Sequence, residues 1–109
     1  MQNAAPSTDS PTESDQALTT SLNEELSRVD AHVGDTLVGF AAYEVCQDGS
    51  YSFHHTEVFE EHSGHGYGKQ VAAGVMDVAR DKGFTIAPTC PFLRKYMDAH
   101  PETQDVRAD

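Results

Sequence analysis

Residues 62–69 read His-Ser-Gly-His-Gly-Tyr-Gly-Lys (HSGHGYGK). Glycines at alternate positions, Gly64, Gly66 and Gly68, let a backbone turn tightly and approach a ligand closely. The stretch follows a strand-like segment and opens an amphipathic one. A helix starting here points unpaired N–H groups and its positive dipole end at whatever fills the loop, which makes a phosphate site. The GxxxxGK[ST] spacing of a Walker loop is missing. So is the βαβ context of a dinucleotide fingerprint. Taken alone, the same glycines also describe a flexible strand-to-helix connection, so the flanks decide.

Downstream, Val71, Val75, Val78 and Ala79 recur at helical spacing. Gly83 after Lys82 stops that helix, and a cation in its last turn suits the dipole. Phe84 to Ala87 reads as a short strand closed by Pro88. Pro91 stands at the first position of a second helix running to about Ala99, before Pro101. Upstream, Tyr51 to Phe59 (YSFHHTEVF) reads as a strand with Tyr51, Phe53, His55, Glu57 and Phe59 on one face. Gln47-Asp48-Gly49-Ser50 is a hairpin turn. Thr36 to Val45 (TLVGFAAYEV) is apolar at nearly every position, as in a strand covered on both faces. Glu24 to His32 reads as a short edge strand before the turn Val33-Gly34-Asp35. No segment repeats. The order predicts an α/β fold with a mixed α+β sheet: an antiparallel meander, the glycine loop, a helix, a parallel strand and a C-terminal helix.

With 109 residues the chain has room for one domain. Residues 1–21 are polar, with Leu18 as the only large aliphatic after Met1, and predict a disordered tail. The domain is expected over 22–103, with a short tail over 104–109. No basic start with an apolar run marks a signal peptide, and no segment reaches membrane-spanning length. A soluble, cytoplasmic protein is expected, monomeric or weakly dimeric. The net charge of -11 argues against nucleic-acid binding. Lys69, Arg80, Lys82, Arg94 and Lys95 are five of the seven cations, so an anionic small ligand belongs near them. Arg80 and Lys82 read as ordinary solvated helix positions. Cys46 and Cys90 are expected to be thiols. The histidines lack the spacing of a zinc site, and no metal is expected.

The loop after a strand resembles the acetyl-coenzyme A loop of the GCN5-related N-acetyltransferases, usually written Q/R-x-x-G-x-G/A. A minimal short-chain branch is closer still. It carries HT.V, an rGrGlg loop, P.CPF and a final hPe. Here stand His55-Thr56-Glu57-Val58, the loop, Pro88-Thr89-Cys90-Pro91-Phe92 and His100-Pro101-Glu102, in that order. The resemblance covers roughly residues 22–103. It implies acetyl-coenzyme A (acetyl-CoA) as the donor. The strand at Thr56-Glu57-Val58 would offer backbone groups, Thr56 and Val58 among them, to the pantetheine arm. The amides of Gly64, His65, Gly66, Tyr67, Gly68 and Lys69 would hold the pyrophosphate, with Ser63 opening the loop. Two departures remove fixed positive charge: Ser63 replaces the usual Gln or Arg, and His65 stands at a commonly basic position. Binding is expected to survive on backbone amides and, through His65, to be pH-sensitive. Larger relatives carry extra N-terminal helices for which this chain has no room, so the acceptor side should be open.

The implied acceptor is an exposed amine, a protein lysine or a small polyamine. Two routes are open. In direct attack a base takes the amine's proton, with Glu57, His54 and His55 as candidates. In the covalent route Cys90 takes the acetyl group and passes it on. Pro91 makes Cys90 the N-cap of the last helix, where the dipole favours thiolate. The branch has a cysteine there as well. A small residue packed under the helix is the plain alternative, and Cys46 reads as structural. A non-catalytic coenzyme A-binding or interaction module is the other function the sequence allows. An anion-binding fold without coenzyme A is a third.

Overall fold

The computed structural model describes residues 17–108, and residues 1–16 of the tail expected over 1–21 lie outside them. Strands β1 (Leu18–Asn23), β2 (Arg28–Val33), β3 (Thr36–Val45) and β4 (Tyr51–Val58) are followed by helix α1 (Tyr67–Lys82), strand β5 (Ile86–Pro88) and helix α2 (Pro91–Ala99). Short 3-10 turns cover Glu60–His62 and Pro101–Val106. The strands lie side by side in chain order. The first three pairings are antiparallel and β4 pairs β5 in parallel. This is the mixed sheet with helices that the sequence predicts.

Local chemistry explains the joints. Between β3 and β4, Gly49 takes φ +89°, and the Asp48 carboxylate accepts hydrogen bonds from the Ser50 amide (2.9 Å) and hydroxyl (2.7 Å). Helix α1 ends where predicted: Gly83 adopts the left-handed conformation and its amide bonds the Ala79 carbonyl. Val71, Ala72, Val75, Met76 and Ala79 of α1 and Leu93 and Met97 of α2 share one buried cluster with Val29, Ala41, Tyr43 and Phe53 of the sheet. Phe53 is fully buried, and truncating a phenylalanine in such a place costs about 3–5 kcal/mol.

Four expectations need correction. Residues 18–21 are not tail: they form β1, the edge strand, whose Leu18 and Leu22 pack on the core. Thr20 faces Gly74 of α1 so closely that a Cβ there would lie 2.3 Å from its methyl. Glu24–Ser27 is the turn after β1, so the next strand starts at Arg28. Residues 104–108 are not a loose tail either. Val106 is buried, and the Ala108 amide bonds the Ile86 carbonyl on the outer side of β5. Finally, β3 is not covered on both faces. Both helices join the cluster on the Tyr43 side. On the other side Phe40 is covered by side chains instead, with the Arg28 guanidinium 4.8 Å above its ring and His55 and Phe59 beside it.

The expected single face of β4 is also broken. Tyr43 pairs with Phe53 and Ala42 with His55, which leaves His54 as an extra residue, a β-bulge. Before it, Tyr51 and Phe53 point to the helices. After it the parity reverses: Thr56 and Val58 turn to the helix side, and His55 and Glu57 to the open face.

Candidate functional site

The bulge and the shortness of β5 open a gap between β4 and β5. Ladder pairing between these strands stops at Phe53 and Pro88. Beyond it, the Cys90 amide (2.8 Å) and the Thr89 hydroxyl (3.0 Å) both donate to the Phe53 carbonyl. The chain then turns into α2, and among the described residues no strand lies beside the later half of β4 on that edge. Thr56, Val58, Gly68 and Phe92 line the groove so formed, a volume of ≈ 260 Å³.

The glycine loop closes one end of this groove. Gly64 and Gly66 take φ +86° and +75°, a region that side chains other than Asn and Asp enter at a cost. A Cβ at either would meet nothing within 4 Å, so neither position is hemmed in by the rest of the chain. Gly66 is the N-cap of α1, no side chain among the described residues caps that helix, and its first turn holds no acidic residue. Its first amides therefore keep their donors, the feature an anion site needs. Ser63 is turned away, its hydroxyl donating to the Glu60 carbonyl (2.8 Å), and His65 stacks against Tyr67. Gly68 has a different reason: a Cβ would come within 3.2 Å of the Phe92 ring. Past Phe92 lies a second cavity of ≈ 330 Å³ between the start of α1 and α2, bordered by Lys69, Lys95, Tyr96 and His100.

Cys90 sits where the groove meets α2. It is the N-cap of that helix, as predicted, and only 6 % exposed. Its sulfur lies 3.7 Å from the Thr56 hydroxyl, which is placed there by the parity change at the bulge. Burial pushes the thiol up. The Leu93 amide, the Thr56 hydroxyl and the Phe92 and Thr56 amides outweigh it, and the net direction is down. Cys46 lies at the far end of β3, and neither cysteine is paired.

The expected cofactor positions Thr56, Val58 and Gly64 through Lys69 are thus contiguous, and Cys90 joins them. The expected bases do not. His55 and Glu57 face the open side of the sheet and bond each other at 3.1 Å, both about half exposed. His54 sits on the bulge, is exposed and borders a different cavity from the groove. Arg80 is occupied elsewhere, bonding Asp105 and the Glu102 carbonyl, as its solvated-face reading allows. Among the described residues no group of three or more His, Cys, Asp or Glu converges as metal ligands. No described helix is long and apolar enough to cross a membrane. Sequence reasoning missed Phe92 as a groove wall, although its place directly after Pro91 fixes it in the first turn of α2. It also missed the Thr56 side chain as the partner of Cys90, because the bulge that turns it inward has no signature in the strand's composition.

The model of the GCN5-related N-acetyl-transferase family matches residues 28–106. Among solved structures the chain is similar to a ribosomal-protein-alanine N-acetyltransferase from Brucella melitensis biovar Abortus 2308. The two share 22% identity at a TM-score of 0.43, over 75% of this chain and 61% of that one. That likeness spans less than two-thirds of the neighbour and is too remote to carry a residue or a substrate across. No curated protein sequence matches.

Proposed function

The chain belongs to the GCN5-related N-acetyltransferases, and from that premise we propose that it transfers acetyl from acetyl-CoA to an exposed amine. The observation that carries the donor is the uncapped start of α1. Free amides and left-handed glycines stand at one end of a groove whose wall is the unpaired edge of β4, and Lys69 borders the cavity on the other side of Phe92. The residues present fit such a ligand. The loop amides suit a pyrophosphate, and the groove past Thr56 and Val58 suits a narrow arm with amide groups. The bound donor supplies an activated acetyl thioester.

The chain's own residues then have two ways to act. In one, the Cys90 thiolate forms a new thioester bond to the acetyl carbon, the coenzyme A thiolate leaves, and the acceptor amine later displaces Cys90 and gives up a proton. The amides at the start of α2 and the Thr56 hydroxyl favour the thiolate that this requires. In the other, the amine attacks the donor directly and its proton passes to a base on β4, with His55 and Glu57 acting as a hydrogen-bonded pair or His54 acting alone.

Calorimetric titration of the full chain with acetyl-CoA and with coenzyme A tests the donor assignment. Saturable binding of both at micromolar concentration is expected. No heat up to millimolar ligand would reduce the loop to a plain connection.

A further inference from the structure

The chain carries 18 acidic side chains against 7 lysines and arginines, so a cation here is expected to find a carboxylate. Most do. Arg28 pairs with Asp30, Arg80 with Asp105, Lys82 with Asp81 and Arg107 with Asp98. Lys69 and Lys95 differ: among the described residues neither makes an ion pair or a hydrogen bond. Both border one place, the cavity of ≈ 330 Å³ between the start of α1 and α2. No acidic side chain lines it, and Phe92, Tyr96, Ala99 and His100 complete its wall. Much of that wall is flat ring. Tyr96 and His100 stack at 4.1 Å and 22°, and the Phe92 ring is 41% exposed. Burial, then Glu102 and Asp77, push the Tyr96 hydroxyl up. Those two carboxylates are already engaged, Glu102 by His100 and Asp77 by Arg80.

We propose that this cavity is a nucleotide site, which takes a planar base against its rings and a phosphate monoester at Lys69 and Lys95. Two unpartnered ammonium groups on one cavity of an acidic chain concentrate anions there. Lysine meets a phosphate as a point charge with three donors. Aromatic walls take a base by stacking. The volume lies at the lower end of the ~300–1,000 Å³ usual for small-molecule sites. This chemistry has two sources, a free adenine nucleotide and the 3′-phosphoadenosine end of the donor. Placement favours the donor's end. Phe92 borders both this cavity and the groove at Thr56 and Val58, and Lys69 directly follows Gly68 of that groove. A donor with its arm in the groove and its pyrophosphate at the loop therefore has this cavity next to its far end. That source rests on the acetyl-transfer reading and deepens it, whereas the cavity's own chemistry does not depend on it.

The test is calorimetric titration of the full chain with acetyl-CoA, acetyl-dephospho-CoA, adenosine 3′,5′-bisphosphate and inorganic phosphate. The parent should bind acetyl-CoA about tenfold or more tightly than the form without the 3′-phosphate, the scale of a charged contact. Lys95→Gln, at an exposed position outside the glycine loop, should remove most of that preference. Its affinity for acetyl-dephospho-CoA should stay within about twofold of the parent's, which separates a lost contact from a damaged fold. The bisphosphate should saturate, inorganic phosphate should not at the same concentration, and the bisphosphate should compete with acetyl-CoA. Equal binding of the two phosphates would overturn the stacked base. Binding of the bisphosphate to the donor-saturated chain would assign the cavity to a free nucleotide and overturn the donor's end as its source. If acetyl-CoA fails to bind while the bisphosphate binds through Lys95, the acetyl-transfer reading fails and the nucleotide site stands. If acetyl-CoA and its dephospho form bind alike and Lys95→Gln changes neither, the donor site stands and the nucleotide site falls.

Discussion

Helices α1 and α2 begin in the same way and are used in opposite ways. Neither has a side-chain cap at its N-terminus. Both therefore present first-turn amides without a backbone acceptor and the positive end of a dipole. At α1 the N-cap is an exposed glycine and the amides look outward into an open loop. At α2 the N-cap is a buried cysteine and the amides look inward at its sulfur. One end is shaped to receive an anion from outside. The other favours an anion made from its own side chain. The difference lies in one residue, because the left-handed glycine holds the chain away from its amides and the extended cysteine folds back onto them.

The sharpest way to break this contrast is to supply α1 with an anion of its own. Gly66→Asp places a carboxylate at the mouth of the loop. Aspartate tolerates the left-handed conformation better than most residues, and the added Cβ meets nothing. Folding should be unaffected while acetyl-CoA affinity falls about a hundredfold or more, since like charges set against each other cost several kcal/mol. Calorimetry beside thermal melts decides it. Unchanged affinity would place the phosphates elsewhere.

At α2 the corresponding change is Cys90→Ala. With acetyl-CoA affinity retained, kcat should drop at least about a hundredfold if the acetyl group passes through the sulfur, as loss of a nucleophile does in other covalent enzymes. A kcat within a few-fold of the parent's would assign direct transfer and leave Cys90 a packing role.

A smaller change separates the two contributions to the thiolate. Thr56→Val removes the hydroxyl but keeps the backbone amide beside the sulfur. The hydroxyl favours the charged form, so its loss must raise the thiol's pKa. The pH midpoint of Cys90 alkylation should lie below that of an ordinary cysteine in the parent and move up in the variant. Carboxymethylation at neutral pH should slow by a few-fold. No movement would give the whole effect to the amides of α2.

How far the sequence shows this arrangement depends on what each residue answers to. The glycines at 64, 66 and 68, the stop at Gly83 and Pro91 after Cys90 act over a few residues, and their consequences can be read directly. Strand β1 is harder. Its Leu-Thr-Thr-Ser-Leu-Asn alternates as a strand should, yet its hydroxyl side chains equally suit a loop. What fixes it is the close fit of Thr20 on Gly74, more than fifty residues away. The bulge at His54 is set by the pairing of β3 with β4 and not by the residue itself. One inserted residue moved His55 and Glu57 off the face shared with Phe53 and brought in Thr56. The roles of donor-side and acceptor-side residues on β4 therefore depend on a register that no local pattern encodes.

The smallest expected effect lies at the far end of α1, and it tests whether the open start of that helix acts alone. Arg80 in the last turn donates to both Asp105 carboxylate oxygens and to the Glu102 carbonyl, tying the C-terminal 3-10 turn to the helix. The hydrogen bond from Arg80 holds the Asp105 carboxyl below its ordinary value. A carboxylate depressed in the folded state stabilises the fold above its unfolded pKa of ~3.9, and that contribution is lost as pH falls through the folded value. Asp105→Asn should thus lower Tm at neutral pH by about 1–2 °C, the scale of an exposed ion pair. The gap between variant and parent should begin to narrow below about pH 4 and close once the pH has fallen through the lower folded value, where the parent's carboxyl is neutral as well. Acetyl-CoA affinity should not change, because the loop amides and the Arg80 contacts sit at opposite ends of a sixteen-residue helix. If Asp105→Asn weakens donor binding, the two ends of α1 are coupled, and the glycine loop owes some of its shape to the C-terminal turn.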